Sequence, residues 1–595
     1  MRPAHLHSAS LRAPLAAALI ALVWAAWVYG PRAINPASVD WLLHGDAAAH
    51  HIGVQFFLRD AWRWPLGLFE GFGEAPTGVV FTDGIPWLAL AAKAAARAGL
   101  WPTGWQYFGL WMLACHAAAA WWGVRLLQAL AERLGASESA CAARAPAWVA
   151  GGLFFTVAPA LMMRAYGHEA LMAHALVLAG LTLALAPADQ GWRLKHWLLL
   201  VAVAVGVHAY LALMTALIGV SAALAAVARG DVRLPTLLMQ GLAAAAVLLG
   251  LAWLLGYFAG TAQVSTHGHG LYSANLLTWV DPMAWNDFMR LHQRQAPYVG
   301  EWSRWLPARD QATGGQYEGY AWLGTGMLAL VAVAAVAAFG AAAARFLPLG
   351  RPSISKPYTT ALGRPASFPW GLLLVCSLLA LWALSARITF GAHTLVEFDP
   401  SPIVDTLLGV FRASGRFIWP LTYLLMAWAI VQVALLGGAG RPKWGPALVG
   451  AALVLQAWDT SPKWLEFHSR FRLGPPGVVS RVQDPRWAEW LQRCPRLEWV
   501  ADEAPETPPG RWIGPTLAAG LAGAHVLPAP TSHPSPEVQA QRRAHLQALV
   551  QGAWRPDTVY VFPGDAPAQP PAHLITTMLD GYATLTAPAC RGTER

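Results

Sequence analysis

GDAAAHHIGVQFFLRDAWRWPLG (residues 45–67) and FGEAPTGVVFTDGIPWLALAAK (residues 72–93) lie in one stretch between two apolar runs that should cross a bilayer. The stretch mixes Asp46, His50, His51, Arg59, Asp60, Arg63, Glu70 and Asp83 with aromatics, Gly and Pro. Ionisable groups cost free energy to hold at a membrane surface, so they mark a site more than packing. Most of the remaining chain is apolar. Of 595 residues, 56% are hydrophobic and 12% charged, where ordinary soluble domains carry about a quarter charged. Mean hydropathy is +0.40. The class is therefore a mainly α, polytopic membrane protein. Many of the 32 Trp sit beside the ends of apolar runs, where an indole suits the headgroup region.

Working outward, Arg2 and Arg12 precede an apolar run at 15–29, read as an uncleaved first helix with a cytoplasmic N-terminus. The first outer loop follows at 31–104. Its segment 85–100 is short and carries Lys93 and Arg97, so it reads as an interfacial helix. Further spans are read at 106–127, 146–162, 171–185, 197–227 (split in two at 208–210), 237–258, a run ending near Arg345, 368–386, 418–436 and 446–458. That makes about eleven. The short loops placed inside all carry Lys or Arg, as the positive-inside rule asks. A long polar loop at 260–320 exceeds what a structureless connection usually needs, and residues 267–288 within it read as a lid. The transmembrane domain is thus 1–458.

Residues 459–595 differ. They hold 13 Lys+Arg and 13 Asp+Glu, so the net charge of +9 belongs to the membrane part, where cations can meet lipid phosphates. Basic residues scattered among spans form no stripe for nucleic acid. Short strands are expected at 497–500, 524–527, 558–562 and 582–585, and helices at 487–492 and 536–551, giving a small α/β domain outside the membrane. Cys494 and Cys590 lie in it and can pair if it is extracytoplasmic. Cys115 and Cys376 fall in apolar runs, and Cys141 in a short basic loop. No CxxC pattern, P-loop or Gly-rich nucleotide fingerprint occurs.

Acidic and basic groups gathered at one face of an apolar protein suit a lipid-linked substrate. Arg412 and Arg416 are four apart, so on a helix they form a two-pronged cationic patch for a lipid phosphate. The plain alternatives are headgroup anchoring, or pairing with Glu397, Asp399 or Asp405. Asp46 and His50 also share a helix face and can hold a divalent metal; a structural, hydrogen-bonded histidine is the commoner case. Asp46 after Gly45 equally reads as a helix N-cap, and Asp83 before Gly84 as a turn residue. His208 and Tyr210 read as satisfying each other or the backbone at a helix bend.

The stretches above, with QYFGLW (106–111), HAYLALM (208–214), FRASGRFIWPLTY (411–423) and DTVYVF (557–562), resemble the GT-C superfamily of polytopic glycosyltransferases. They look closer still to a bacterial GT-C-like membrane-protein family of unknown function. The resemblance implies transfer of a sugar from a polyprenyl-phosphate donor to an envelope glycan, lipid or protein acceptor, at the outer face of a bacterial inner membrane. It makes Asp46 the first candidate base and Asp83 the second carboxylate. Many GT-C enzymes carry two adjacent acidic residues here, whereas this chain has Gly45 before Asp46. The resemblance also draws in the second outer loop, with Arg164 at the phosphate and His168 and Glu169 as polar or metal-binding groups; some GT-C relatives use a divalent cation. Interfacial anchoring of Arg164 and a helix-start role for Glu169 are the bland readings. The rival function is a lipid or glycan transporter, or a non-catalytic envelope assembly protein.

Overall fold

The computed structural model describes residues 8–186, 191–258, 270–283, 302–346, 369–436, 443–473, 482–501, 510–529, 536–567 and 569–592. The protein is mainly helical. All eleven apolar segments fall in helices, yet only six of the described helices are long and apolar enough to cross a bilayer: Leu11–Ile34, Phe108–Arg133, Ala145–Tyr166, Ala209–Arg229, Leu234–Leu254 and Ser414–Ala434. The count of eleven is therefore not supported. The reason is length and charge. Trp370–Leu384 has 15 residues and rises about 22 Å, short of a hydrocarbon core of about 30 Å. Glu169–Ala184 and Leu194–Val205 are also short. Trp444–Leu473 runs for 30 residues but carries Asp459, Lys463, Glu466, Arg470 and Arg472.

The first helix packs closely because its buried stripe is small. Ala13, Ala17, Ala21 and Ala25 recur every fourth residue and are buried, letting neighbouring backbones approach. Asp459, Lys463, Glu466 and Arg470 of Trp444–Leu473 find partners. Asp459 accepts hydrogen bonds from Ser303 Oγ at 2.8 Å and Thr325 Oγ1 at 2.9 Å. This ties the end of the long polar loop to that helix. Of the expected lid, residues 267–269 and 284–288 lie outside the described residues. Residues 85–100 form the helix Pro86–Arg97 as expected. Its Lys93 is buried, donates to the Ala61 carbonyl at 3.0 Å and lies over the rings of Phe57 and Trp62.

The C-terminal region is a small α/β domain. Its five strands lie in the order His525–Leu527, Arg496–Trp499, Val559–Phe562, Tyr582–Thr586, Ile575–Leu579. The first three are parallel neighbours and the last two pair antiparallel. The strand Ile575–Leu579 and the helix Ile513–Ala522 were not expected. Three residues of that strand are exposed, so it lacks a strand's clear alternation.

The domain docks on the loop between the helices Leu11–Ile34 and Phe108–Arg133. Arg542 makes a two-pronged pair with Glu74, at 2.6 and 3.0 Å. Val526 and Phe72 form a parallel bridge, and Arg59 donates to the Leu521 carbonyl at 2.5 Å. Cys494 and Cys590 are disulfide-bonded, 96 residues apart in sequence, and join the helix Arg486–Arg493 to the helix Pro588–Arg591. Removing a disulfide from a small domain costs about 2–5 kcal/mol. The double variant Cys494→Ser, Cys590→Ser is therefore expected to make this domain the first part cut in limited proteolysis. Equal resistance to wild type would show the bond contributes little.

Candidate functional site

The helix Gly45–Arg59 begins the site. Its N-cap is His44 rather than Asp46, and no side chain caps it. Asp46 instead sits in the first turn, where a carboxylate meets the positive end of the helix dipole. One turn on, His50 is buried. Its Nδ1 bonds Glu169 Oε2 at 3.2 Å, and its Nε2 lies 3.6 Å from Asp83 Oδ2. The shared helix face of Asp46 and His50 holds, but the carboxylates nearest His50 come from two other segments.

Asp83 reaches His50 because Gly53 allows it. A Cβ on Gly53 would fall 2.5 Å from Thr82 Cγ2, so only glycine lets the turn Val79–Thr82 lie on the helix. The turn reading of Asp83 also holds: its backbone is left-handed, with φ 47°, a region Asp tolerates. Ile85 has φ 53°, which is strained for a β-branched residue and is held by burial. Gly53→Ala should displace this turn and destabilise the protein by about 1–3 kcal/mol. A melting temperature equal to wild type would contradict that packing.

The segment after Ala145–Tyr166 supplies His168 and Glu169. His168 Nε2 lies 3.8 Å from both Asp46 Oδ2 and Glu318 Oε1. His50, Asp83 and His168 each offer a ligand atom within 4.8 Å of the others. His208 joins them, with Nε2 3.5 Å from Asp83 Oδ1. Its Nδ1 accepts the Tyr210 N–H at 3.2 Å, so the backbone reading was correct and incomplete. Tyr210 Oη accepts the Ala413 N–H at 2.8 Å.

These neighbours set the charges. Burial alone would lower the pKa of His50, but the bond to Glu169 and the charges of Asp83, Glu169 and Asp46 push it up to about 9. Burial would raise Asp83, yet the His208 hydrogen bond and the charges of His208, His50 and His168 hold it well below the usual carboxylate range. Burial keeps His168 below the ordinary histidine range, against the pull of Glu318 and Asp46.

The arginines behave differently from expectation. Arg164 and Arg416 both bind one carboxylate, Glu318, which is buried. Arg164 Nη1 lies 2.6 Å from Oε2, and Arg416 reaches Oε1 at 2.6 Å and Oε2 at 2.9 Å. Burial would raise Glu318, and Arg416 and Arg164 together hold it well below the usual range. Gly415 makes this possible, since a Cβ there would fall 2.6 Å from the Gly319 Cα. Arg412 does not share a helical patch with Arg416, because a 3-10 turn begins at Ser414. It lies over the Tyr272 ring at 5.3 Å. Glu397 faces Arg387 at 3.7 Å. Cys494 and Cys590 belong to the C-terminal domain, apart from this cluster.

Asp46 is the open member. Its side chain is 70% exposed, while those of His50 and Glu169 are 7% and 1% exposed. The arrangement can take a proton at Asp46, hold a cation among His50, Asp83 and His168, and present net positive charge from Arg164, Glu318 and Arg416.

A family model described as a domain of unknown function (DUF6311) matches residues 18–461. A second, the DUF6311 C-terminal domain, matches residues 486–587. No curated protein matches the chain significantly.

Proposed function

The chain belongs to the DUF6311 family, and from its charged cluster and its sequence resemblance to GT-C enzymes we propose a GT-C-like glycosyltransferase of a bacterial inner membrane. It moves a sugar from a polyprenyl-phosphate donor to an envelope glycan, lipid or protein outside the cytoplasm. The observation that carries this reading is Asp46. It is the most exposed carboxylate of a polar cluster whose His50 and Glu169 are buried and whose Asp83, His168 and His208 are partly buried, beside helices long and apolar enough to cross a membrane.

The acceptor hydroxyl gives its proton to Asp46 as its oxygen bonds to the anomeric carbon of the sugar. The bond from that carbon to the phosphate oxygen breaks, and its electron pair leaves with the polyprenyl phosphate. Arg412 faces no carboxylate among the described residues, so its charge is free to stabilise the leaving phosphate. Arg164 and Arg416, bound to Glu318, add a net charge of about +1 at longer range. Asp83 is held ionised between His50 and His208, which makes it the weaker base. The paired Cys494 and Cys590 suit an oxidising compartment, in keeping with a C-terminal domain outside the cytoplasm and a cytoplasmic N-terminus.

The test is mass profiling of envelope glycans and lipids in a deletion strain carrying wild type or Asp46→Asn at matched expression. Wild type should restore a missing sugar and the variant should not. Restoration by both would remove Asp46 from the chemistry. A profile with no sugar missing would favour transport or assembly.

A further inference from the structure

The contact between His50 and Asp83 needs a positive centre or a bridging donor. His50 Nδ1 faces Glu169 Oε2 at 3.2 Å; a carboxylate only accepts, so Nδ1 carries a proton. A neutral ring would then aim the lone pair of Nε2 at Asp83 Oδ2, 3.6 Å away. Two acceptors face each other only with a positive centre or a bridging donor between them, and a positive centre is favoured by the three observations below. The cation is either a second proton on His50 or a metal ion.

We propose that His50, Asp83 and His168 bind a late first-row divalent ion of the Zn²⁺ class. Three observations favour the ion. First, any three atoms within 4.8 Å of one another share a point at most about 2.8 Å from each, so shifts below about 1 Å reach ligand bonds of about 2.0–2.2 Å. Second, Glu169 behind His50 reproduces the carboxylate–histidine–metal arrangement that fixes ring tautomer and orientation. His208 does the same for Asp83. Its Nδ1 accepts from Tyr210, so Nε2 carries the proton and donates toward Asp83 Oδ1, leaving Oδ2 for the ion. Third, His168 Nδ1 is buried and has no hydrogen-bond partner. Two imidazoles with one carboxylate suit zinc better than magnesium or calcium, which take all-oxygen sites. The site stands on this geometry whether or not the chain transfers a sugar.

The experiment uses the full chain in detergent, stripped with chelator and dialysed against Zn²⁺. Metal content is read by mass spectrometry and affinity by competition with a chromogenic chelator. Wild type should hold one ion per chain. His50→Ala, His168→Ala and Asp83→Asn should each lose it, while His545→Ala, in the C-terminal domain, should retain it. Glu169→Gln should weaken affinity about 10–100-fold. Because a core variant can misfold, Co²⁺ is also added to the wild type, where an absorption band typical of nitrogen and oxygen ligation is expected. Absence of a bound ion, or an ion that survives all three substitutions, would overturn the proposal and leave a proton on His50 as the cation.

Discussion

Glu318→Gln is expected to destabilise the protein by about 3–5 kcal/mol, the cost of removing one partner from a buried ion pair. Glu318 holds Arg164 on one side and Arg416 on the other, all three buried. Glutamine offers one neutral acceptor oxygen where two guanidiniums need charge. Its amide would point a donor at one of them. The loss also unties three segments, because the partners lie 154 and 98 residues away. The measurement is the inactivation half-life in detergent at fixed temperature, since membrane proteins seldom unfold reversibly. The half-life should fall at least tenfold. A triple variant with Arg164→Met, Arg416→Met and Glu318→Leu should recover much of it, because well-packed apolar replacement of buried ions is often neutral. An unchanged half-life in Glu318→Gln would mean that the pairs contribute little.

Asp46→Asn should have the opposite signature, with a large effect on rate and none on stability. Losing a general base lowers a rate by about 10²- to 10⁴-fold. Asp46 is mostly exposed, and surface substitutions usually stay within about 0.5 kcal/mol. The substitution is isosteric and leaves His50, Asp83 and Glu169 in place. Transfer should be followed with a polyprenyl-phosphate sugar and envelope extract as acceptor. Retained transfer in a folded variant would exclude Asp46 as the base. By contrast, Asp83→Asn should disturb both activity and stability, because Asp83 lies between His50 and His208.

The sequence made the membrane class, the α/β tail and most cluster members readable, for physical reasons. Asp46, His50, Asp83, His168 and Glu169 stand out as polar groups among apolar runs, and the structure brings them together. Glu318 did not stand out. In QYEGY it is one carboxylate in an already polar loop, and nothing local shows that two distant arginines will enclose it. Its capture of Arg164 and Arg416 is a tertiary fact, so reading Arg412 and Arg416 as one patch rested on a helix that starts too late. His208 was half-read: the cap to Tyr210 is local, whereas the approach to Asp83 crosses 125 positions. The span count failed because hydropathy finds apolar helices but does not say whether a 15-residue one crosses or stops inside the protein.

The ion pair between Glu74 and Arg542 spans 468 positions. The loop bearing Asp46 and Asp83 is thus braced by a residue made 468 positions later. At about 5–20 residues per second, roughly 25–90 s of synthesis separate the two partners. During that interval the nascent protein holds the acidic loop unbraced. Synthesis of Arg542 therefore acts as a timer on maturation, and a product truncated before it would be delivered without its brace.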